Sequence, residues 1–180
     1  MPTVTTYSFV PPLGGTGRSR AAHAQNLRVA QVRVAAPFDG AALVYQLSPA
    51  HYVADPYNMF LADPGAIVGN RIAEGLEAAA LFKAVAGPGS SVPAPLVLEV
   101  TVTELYGDFE RGSAPAAVMA ARFVLIDQAR AHPQVAYERT ISRRVPVPSA
   151  SPESLVRGYG TALGEILTQL SGDLSNLIVN

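Results

Sequence analysis

Three histidines, fourteen acidic residues and no cysteine set the limits on chemistry in this chain of 180 residues. His23, His51 and His132 lie far apart, and none has a carboxylate or second histidine at the spacing that puts two ligands on one helix face. There is no His-Glu-x-x-His run. Without cysteine, no disulfide, iron–sulfur cluster, thiolate metal site or Cys nucleophile can form. Gly87-Pro88-Gly89-Ser90-Ser91 does not fit the Gly-x-Ser-x-Gly elbow. A Ser-based triad needs no sequence neighbours, so spacing leaves it open, as it leaves open an unrecognised site that uses Glu104 or Arg139.

The remaining motifs read as structure. Gly14-Gly15-Thr16-Gly17-Arg18-Ser19 looks loosely like a phosphate loop, but it lacks the lysine and the preceding buried strand, and Pro11-Pro12 intervene. It reads as a mobile surface loop. Gly158-Tyr159-Gly160-Thr161-Ala162-Leu163-Gly164 has its third glycine one residue late for a dinucleotide fingerprint. It falls inside a helical pattern, where each glycine costs about 1 kcal/mol relative to alanine. Three such residues imply close approach of another backbone, from the sheet or from a neighbouring chain. Glu104, Asp108 and Glu110 read as solvated charges around a strand end, since catalysis would need one of them desolvated. Arg139, Arg143 and Arg144 suit either an acidic partner or protection of a strand edge. Tyr45, Tyr52, Tyr57 and Phe60 crowd one short region. Aromatic residues are enriched at binding hot spots, so these four are the candidate partner interface, with core roles the alternative for half of them. No catalytic, cofactor-binding or metal-ligating set emerges.

The elements that must position these residues follow from composition and pattern. The chain is 49% hydrophobic and 15% charged, with a net charge of -1. That excludes a disordered chain, nucleic-acid binding by bulk positive charge and polybasic docking to anionic lipid. No apolar stretch approaches the ~20 residues of a membrane helix. Met1-Pro2-Thr3 opens no signal peptide. Strands are expected over Thr5–Val10, Leu27–Ala35 (with a bulge), Ala42–Leu47, His51–Ala54, Leu96–Tyr106, Ala116–Asp127 and Val135–Val145, with a short one over Lys83–Ala86. In Leu96–Tyr106 the residues Leu96, Leu98, Val100, Val102 and Tyr106 should share one face. Asp63 as N-cap and Pro64 as first residue start a helix to about Leu81. Ser151 and Pro152 start a longer one to about Leu177, with Val156, Tyr159, Leu163, Ile166, Leu170, Leu174 and Leu177 on its apolar face. The expected fold is one α+β domain over residues 1–180, a mainly antiparallel sheet with two helices packed on one face.

The order of features resembles a known family. Leu43-Val44-Tyr45-Gln46 precedes an aromatic segment with Tyr52 and Tyr57, and Phe60-Leu61-Ala62-Asp63-Pro64 leads into a helix. Leu96–Tyr106 with Phe109-Glu110, then Ala116–Asp127 and a helix opening at Ser151, complete the pattern. This is similar to the ABC-type transport auxiliary lipoproteins, the PqiC-like or DUF330 family, from about Thr6 to Leu177. The family usually has Trp where Phe60 stands and often Arg where Gln46 stands. The resemblance implies a non-enzymatic auxiliary lipoprotein of an MCE/ABC-type lipid transport system, a scaffold or docking subunit without cofactor. Its implied partners are an MCE-domain protein, ABC transporter components and further copies of itself. It also implies a periplasmic location, anchored to the outer membrane by lipidation of an N-terminal cysteine. With no cysteine present, either the chain is the mature region without its signal peptide and anchor, the simpler expectation, or this member is not lipidated. The alternative is a soluble periplasmic carrier with a cavity for a lipid or other apolar ligand, suggested by the high apolar and low charged fractions.

Overall fold

The computed structural model describes residues 3–12, 23–129 and 131–179, with side chains up to residue 177. The loop expected at Gly14 to Ser19, with Arg18 and Arg20, lies outside the described residues. Along the chain the elements are β1 (Thr5–Tyr7), β2 (Leu27–Val29), β3 (Arg33–Val34), β4 (Ala42–Ser48), β5 (His51–Phe60), α1 (Pro64–Ala78), β6 (Val85–Ala86), β7 (Leu96–Asp108), β8 (Ala116–Asp127), β9 (Gln134–Pro146) and α2 (Pro152–Val179). Among the described residues the nine strands join one sheet.

β7 is the spine of that sheet. One of its edges is antiparallel to β8, which is in turn antiparallel to β9. The other edge takes three strands in succession, all parallel to it: β2 at Leu96–Leu98, β3 at Thr101–Val102 and β4 at Gly107–Asp108. β4 turns into β5 as an antiparallel hairpin, and β1 and β6 add parallel pairings to β5 and β2. The sheet is therefore mixed, not mainly antiparallel as the sequence suggested. Alternation along a strand reports which face is buried, but it carries no information about the direction of the neighbour.

Both helices pack on one face. α1 starts as expected: the Asp63 side chain accepts a hydrogen bond from the Ala66 N–H, and Pro64 occupies the first turn. It stops at Ala78, short of Leu81, because Ala80 adopts a left-handed φ of 52°. That turn sends Leu81 and Phe82 back into the core. α2 is capped by Ser151, whose hydroxyl accepts from the Ser154 N–H. It buries Leu155, Tyr159, Leu163, Ile166, Leu170 and Leu174, whereas Leu177 is exposed. The helices touch at Gly75, where an added Cβ would lie 2.8 Å from Leu167 Cδ1.

Two local differences from the sequence reading matter for the site. Residues expected as one bulged strand over Leu27–Ala35 form β2 and β3 instead. The break turns the Val32 carbonyl toward α1, where a Cβ on Gly65 would meet it at 2.6 Å. In β7 a register shift between Val102 and Glu104 reverses the alternation. Leu105 therefore continues the buried face of Leu96, Leu98, Val100 and Val102, and Tyr106 turns to the opposite side of the sheet.

Candidate functional site

The aromatic segment folds as the β4–β5 hairpin. β5 runs well past the expected Ala54, through Asp55 and Pro56 to Phe60, with a register irregularity that absorbs the proline. This spreads the four aromatic residues over different environments. Tyr45 is half-buried on the helix side and stacks on Phe109 at 5.1 Å between ring centroids. Tyr52 meets Phe38 and Tyr106 edge-on at 5.7 and 5.3 Å, and Phe38 stacks on Tyr106. Tyr57 is exposed over 48% of its surface and Tyr52 over 37%, and Leu47 and Val53 of the same hairpin are exposed as well. Phe60 belongs to the core: it is 5% exposed and lies against Phe9 and Tyr159.

A polar knot holds the hairpin in shape. The Asp55 carboxylate accepts from the Tyr45 hydroxyl (2.8 Å), the Asn58 amide (2.7 Å) and the backbone N–H groups of Tyr57 (2.9 Å) and Asn58 (3.1 Å). The Tyr7 hydroxyl of β1 lies 3.2 Å from Asn58 Oδ1 and 2.9 Å from Glu153 Oε1 in the first turn of α2. Burial pushes the Asp55 pKa up, but these donors outweigh it and leave the group below the ordinary carboxylate range. Burial, then the bond to Asp55, pushes the Tyr45 phenol well up. The sequence reading missed Asp55, Asn58, Tyr7 and Glu153 as a unit. Asp55-Pro56-Tyr57-Asn58 was the available signal, since an Asp side chain that caps the N–H groups two and three residues on is a common turn device.

The other candidates are satisfied locally. Arg139 binds Asp173 (2.9 Å) and Arg144 binds Asp108 (2.8 Å). Arg143 reaches Glu165 (3.3 Å) and Gln169. Asp108 is thereby part of a structural pair, and Glu104 and Glu110 are partly buried beside it in sequence. His23 stacks on Phe82 at 5.3 Å, where burial lowers its pKa, while His51, at the start of β5, and His132, just before β9, are exposed. Among the described residues no three of His, Asp and Glu gather as a set able to hold a metal ion. The α2 glycines meet their own chain. A Cβ at Gly158 would lie 2.6 Å from Ala117 Cβ, one at Gly160 2.7 Å from the Val10 carbonyl oxygen, and one at Gly164 3.2 Å from Pro12. The groove along α1, about 470 Å³, is open and lined mostly by polar residues, among them Asn70, Arg71, Glu74 and Glu77. No described helix is long and apolar enough to cross a membrane.

The fold has relatives among solved structures. A Xanthomonas campestris protein of the DUF330 family superposes with a TM-score of 0.77 at 17% identity, over 97% of this chain and 94% of that one. A second structure, of an uncharacterized protein, gives 0.71 at 22% identity, over 98% and 99%. A hypothetical protein of Chlamydia trachomatis gives 0.61 at 11% identity, over 86% and 98%. No curated protein matches the chain. The family described as ABC-type transport auxiliary lipoprotein component matches residues 7–171, a span that includes the hairpin, its polar knot, α1 and α2 as far as Ser171, and the chain belongs to that family.

Proposed function

We propose that this protein is a non-enzymatic scaffold or docking subunit of an envelope lipid-transport system. In this reading it works beside an MCE-domain protein and an ABC transporter, and self-associates. An N-terminal lipid tethers it to the periplasmic side of the outer membrane. The β4–β5 hairpin carries the proposal: Tyr52 and Tyr57 stand exposed, as do Leu47 and Val53 of the same hairpin, on a segment that Asp55 and Tyr7 hold in one geometry. Tyrosine gives large contact area at small entropic cost, and a pre-shaped hairpin lowers that cost further.

The test is site-specific photocrosslinking in cells. With a photoreactive phenylalanine at position 57, an MCE-domain protein should be captured, and Tyr52→Asp should abolish the capture. Retention of the complex by Tyr52→Asp and Tyr57→Asp together would sink the hairpin as docking surface. Mass spectrometry of the native N terminus addresses the anchor separately: a diacylated cysteine is expected, and an unmodified terminus removes the tether from this reading.

A further inference from the structure

Arg28 is a partly buried cation that makes no ion pair or hydrogen bond among the described residues, whereas Arg71, Arg122 and the three arginines of β9 are each held by a carboxylate. The sheet fixes its place. Leu27 and Val29 on either side are fully buried, so alternation along β2 sends Arg28 to the face that carries no helix. β2 is paired on both edges there, with Arg28 opposite Ala86 of β6 and Val97 of β7. Beside it opens a groove of about 560 Å³, within the range of small-molecule sites. Its wall is the connection from β6 to β7, residues 87–95. Gly87-Pro88-Gly89-Ser90 forms a turn: the Ser90 N–H donates to the Gly87 carbonyl (3.2 Å), and Gly89 takes a φ of 81°. The turn brings Ser90 and Ser91 into the lining of the groove. The Ser90 hydroxyl oxygen accepts from the Val92 N–H (3.2 Å), which leaves its proton free to donate. Gln128 lines the groove from the end of β8, where its backbone N–H donates to the Pro95 carbonyl (2.7 Å). Among the described residues no carboxylate lines it. Val92, Pro93, Ala94 and Pro95 supply an apolar stretch of wall, and the two prolines have no N–H to offer.

We infer that this groove binds a small organic oxyanion, a molecule that ends in a carboxylate or phosphate and carries a short apolar body. The planar guanidinium of Arg28 takes two anion oxygens at once. Ser90, Ser91 and Gln128 donate to the oxygens that remain, and the apolar body lies along the Val92 to Pro95 wall. A bare inorganic anion would leave most of the groove to water. Arg33, on the same face of the sheet, gives the contrast. It lines a pit of about 140 Å³ together with Glu99 and with Arg122, which Glu138 already holds. A carboxylate in that wall repels an anion, so an unpaired arginine alone does not make the site. The groove lies where β2 meets β7 at Leu96–Leu98, and the β4–β5 hairpin joins the opposite end of β7 at Gly107–Asp108. The two surfaces are separate, and the inference does not rest on the docking role.

The test is an amide NMR titration of the whole protein at constant ionic strength. Benzoate and phenyl phosphate are the probes, with acetate and inorganic phosphate as the matching bare anions and chloride as the control. The amides of Arg28, Ser90, Ser91 and Gln128 should shift and saturate at millimolar concentration or below with at least one aryl anion, and more weakly with its bare counterpart. The aryl anion that binds more tightly identifies the acid group, carboxylate or phosphate. Arg28→Gln should weaken that binding by at least about tenfold, as the loss of a charge-assisted hydrogen bond requires. Ser91→Ala, on the exposed loop, should weaken it by about threefold, and it serves as the readout if Arg28→Gln does not fold. Shifts that never saturate, or that chloride reproduces, would overturn the site. So would saturation that neither variant weakens, or a stronger response around Arg33 than around Arg28. Equal affinity for bare and aryl anions would overturn the organic ligand class. Each of these results leaves the hairpin crosslinks to judge docking independently.

Discussion

Tyr159 is fully buried between Phe9 and Phe60, yet its hydroxyl has no hydrogen-bond partner among the described residues. An unsatisfied buried polar group costs about 1–3 kcal/mol, so Tyr159→Phe should raise the denaturant midpoint. Tyr159→Ala should lower stability by roughly 3–5 kcal/mol through the cavity it opens. A Phe variant less stable than the wild type would show that the hydroxyl does find an acceptor. Asp55 is the opposite case, a carboxylate with two donors on each oxygen. Its folded-state pKa lies below the unfolded value of about 3.9. The ionised form therefore stabilises the fold fully above about pH 4, and that contribution is lost as pH falls through the lower folded value. Asp55→Asn places an amide where Tyr45 and Asn58 donate, and should cost about 1–3 kcal/mol at neutral pH while flattening the acid limb of the stability curve. Equal midpoints for both proteins between neutral pH and pH 3 would show that the knot does not hold the hairpin.

At the scale of elements, α2 explains why glycines sit inside a helix. A Cβ at Gly160 meets the Val10 carbonyl oxygen at 2.7 Å, so Gly160→Ala must displace backbone. Overpacking of that kind costs about 1–3 kcal/mol, more than the ~1 kcal/mol that alanine returns as helix propensity. Gly172 has nothing within 4 Å, so Gly172→Ala should stabilise by up to ~1 kcal/mol. Thermal melts of the two variants should move in opposite directions, and parallel shifts would refute the packing account. The three-glycine cluster was readable from its propensity cost, and both helix starts were readable from Asp63-Pro64 and Ser151-Pro152. The β7 bulge was not: one unpaired residue at Thr103 leaves no compositional mark, yet it moves Tyr106 off the core face and beside Tyr52. Nor was the division of the aromatic segment. Tyr57 and Phe60 are both aromatic in one short stretch, and only the packing of Phe9 and Tyr159 decides that one is core and the other surface.

Across the whole molecule, short strands laid side by side on one edge of β7 bring distant segments together, and tyrosines mark several of the junctions. Tyr7 ties β1 to α2, Tyr45 ties β4 to β5, Tyr137 ties β9 to Asp173 of α2, and Tyr106 packs under Phe38 and Tyr52. Burial is the first cause raising each of these phenols, with Glu153, Asp55 and Asp173 adding to it for Tyr7, Tyr45 and Tyr137. Tyr106 is pushed up to about 12, with Glu104 a secondary cause, and burial, with Tyr45 adding to it, raises Tyr159 far above its ordinary value. A folded-state pKa above the unfolded value near 10 means that the folded protein holds protons the unfolded chain releases. Stability from these five groups is complete below about pH 10 and falls as pH rises beyond it. Tyr106 and Tyr137 sit at separate junctions and their losses add, whereas Tyr7 and Tyr45 share the Asp55–Asn58 knot, and Tyr159 interacts with Tyr45, so their losses couple. An alkaline titration should show their phenolate absorbance rising together with the loss of circular dichroism, in a single step above about pH 10. Tyr137→Phe should leave that step in place and remove one phenolate from it. Smooth ionisation of all five near pH 10 with the fold intact would mean that these junctions are open to water, and that the sheet and helices are joined more loosely than the packing of Tyr45, Tyr137 and Tyr159 requires.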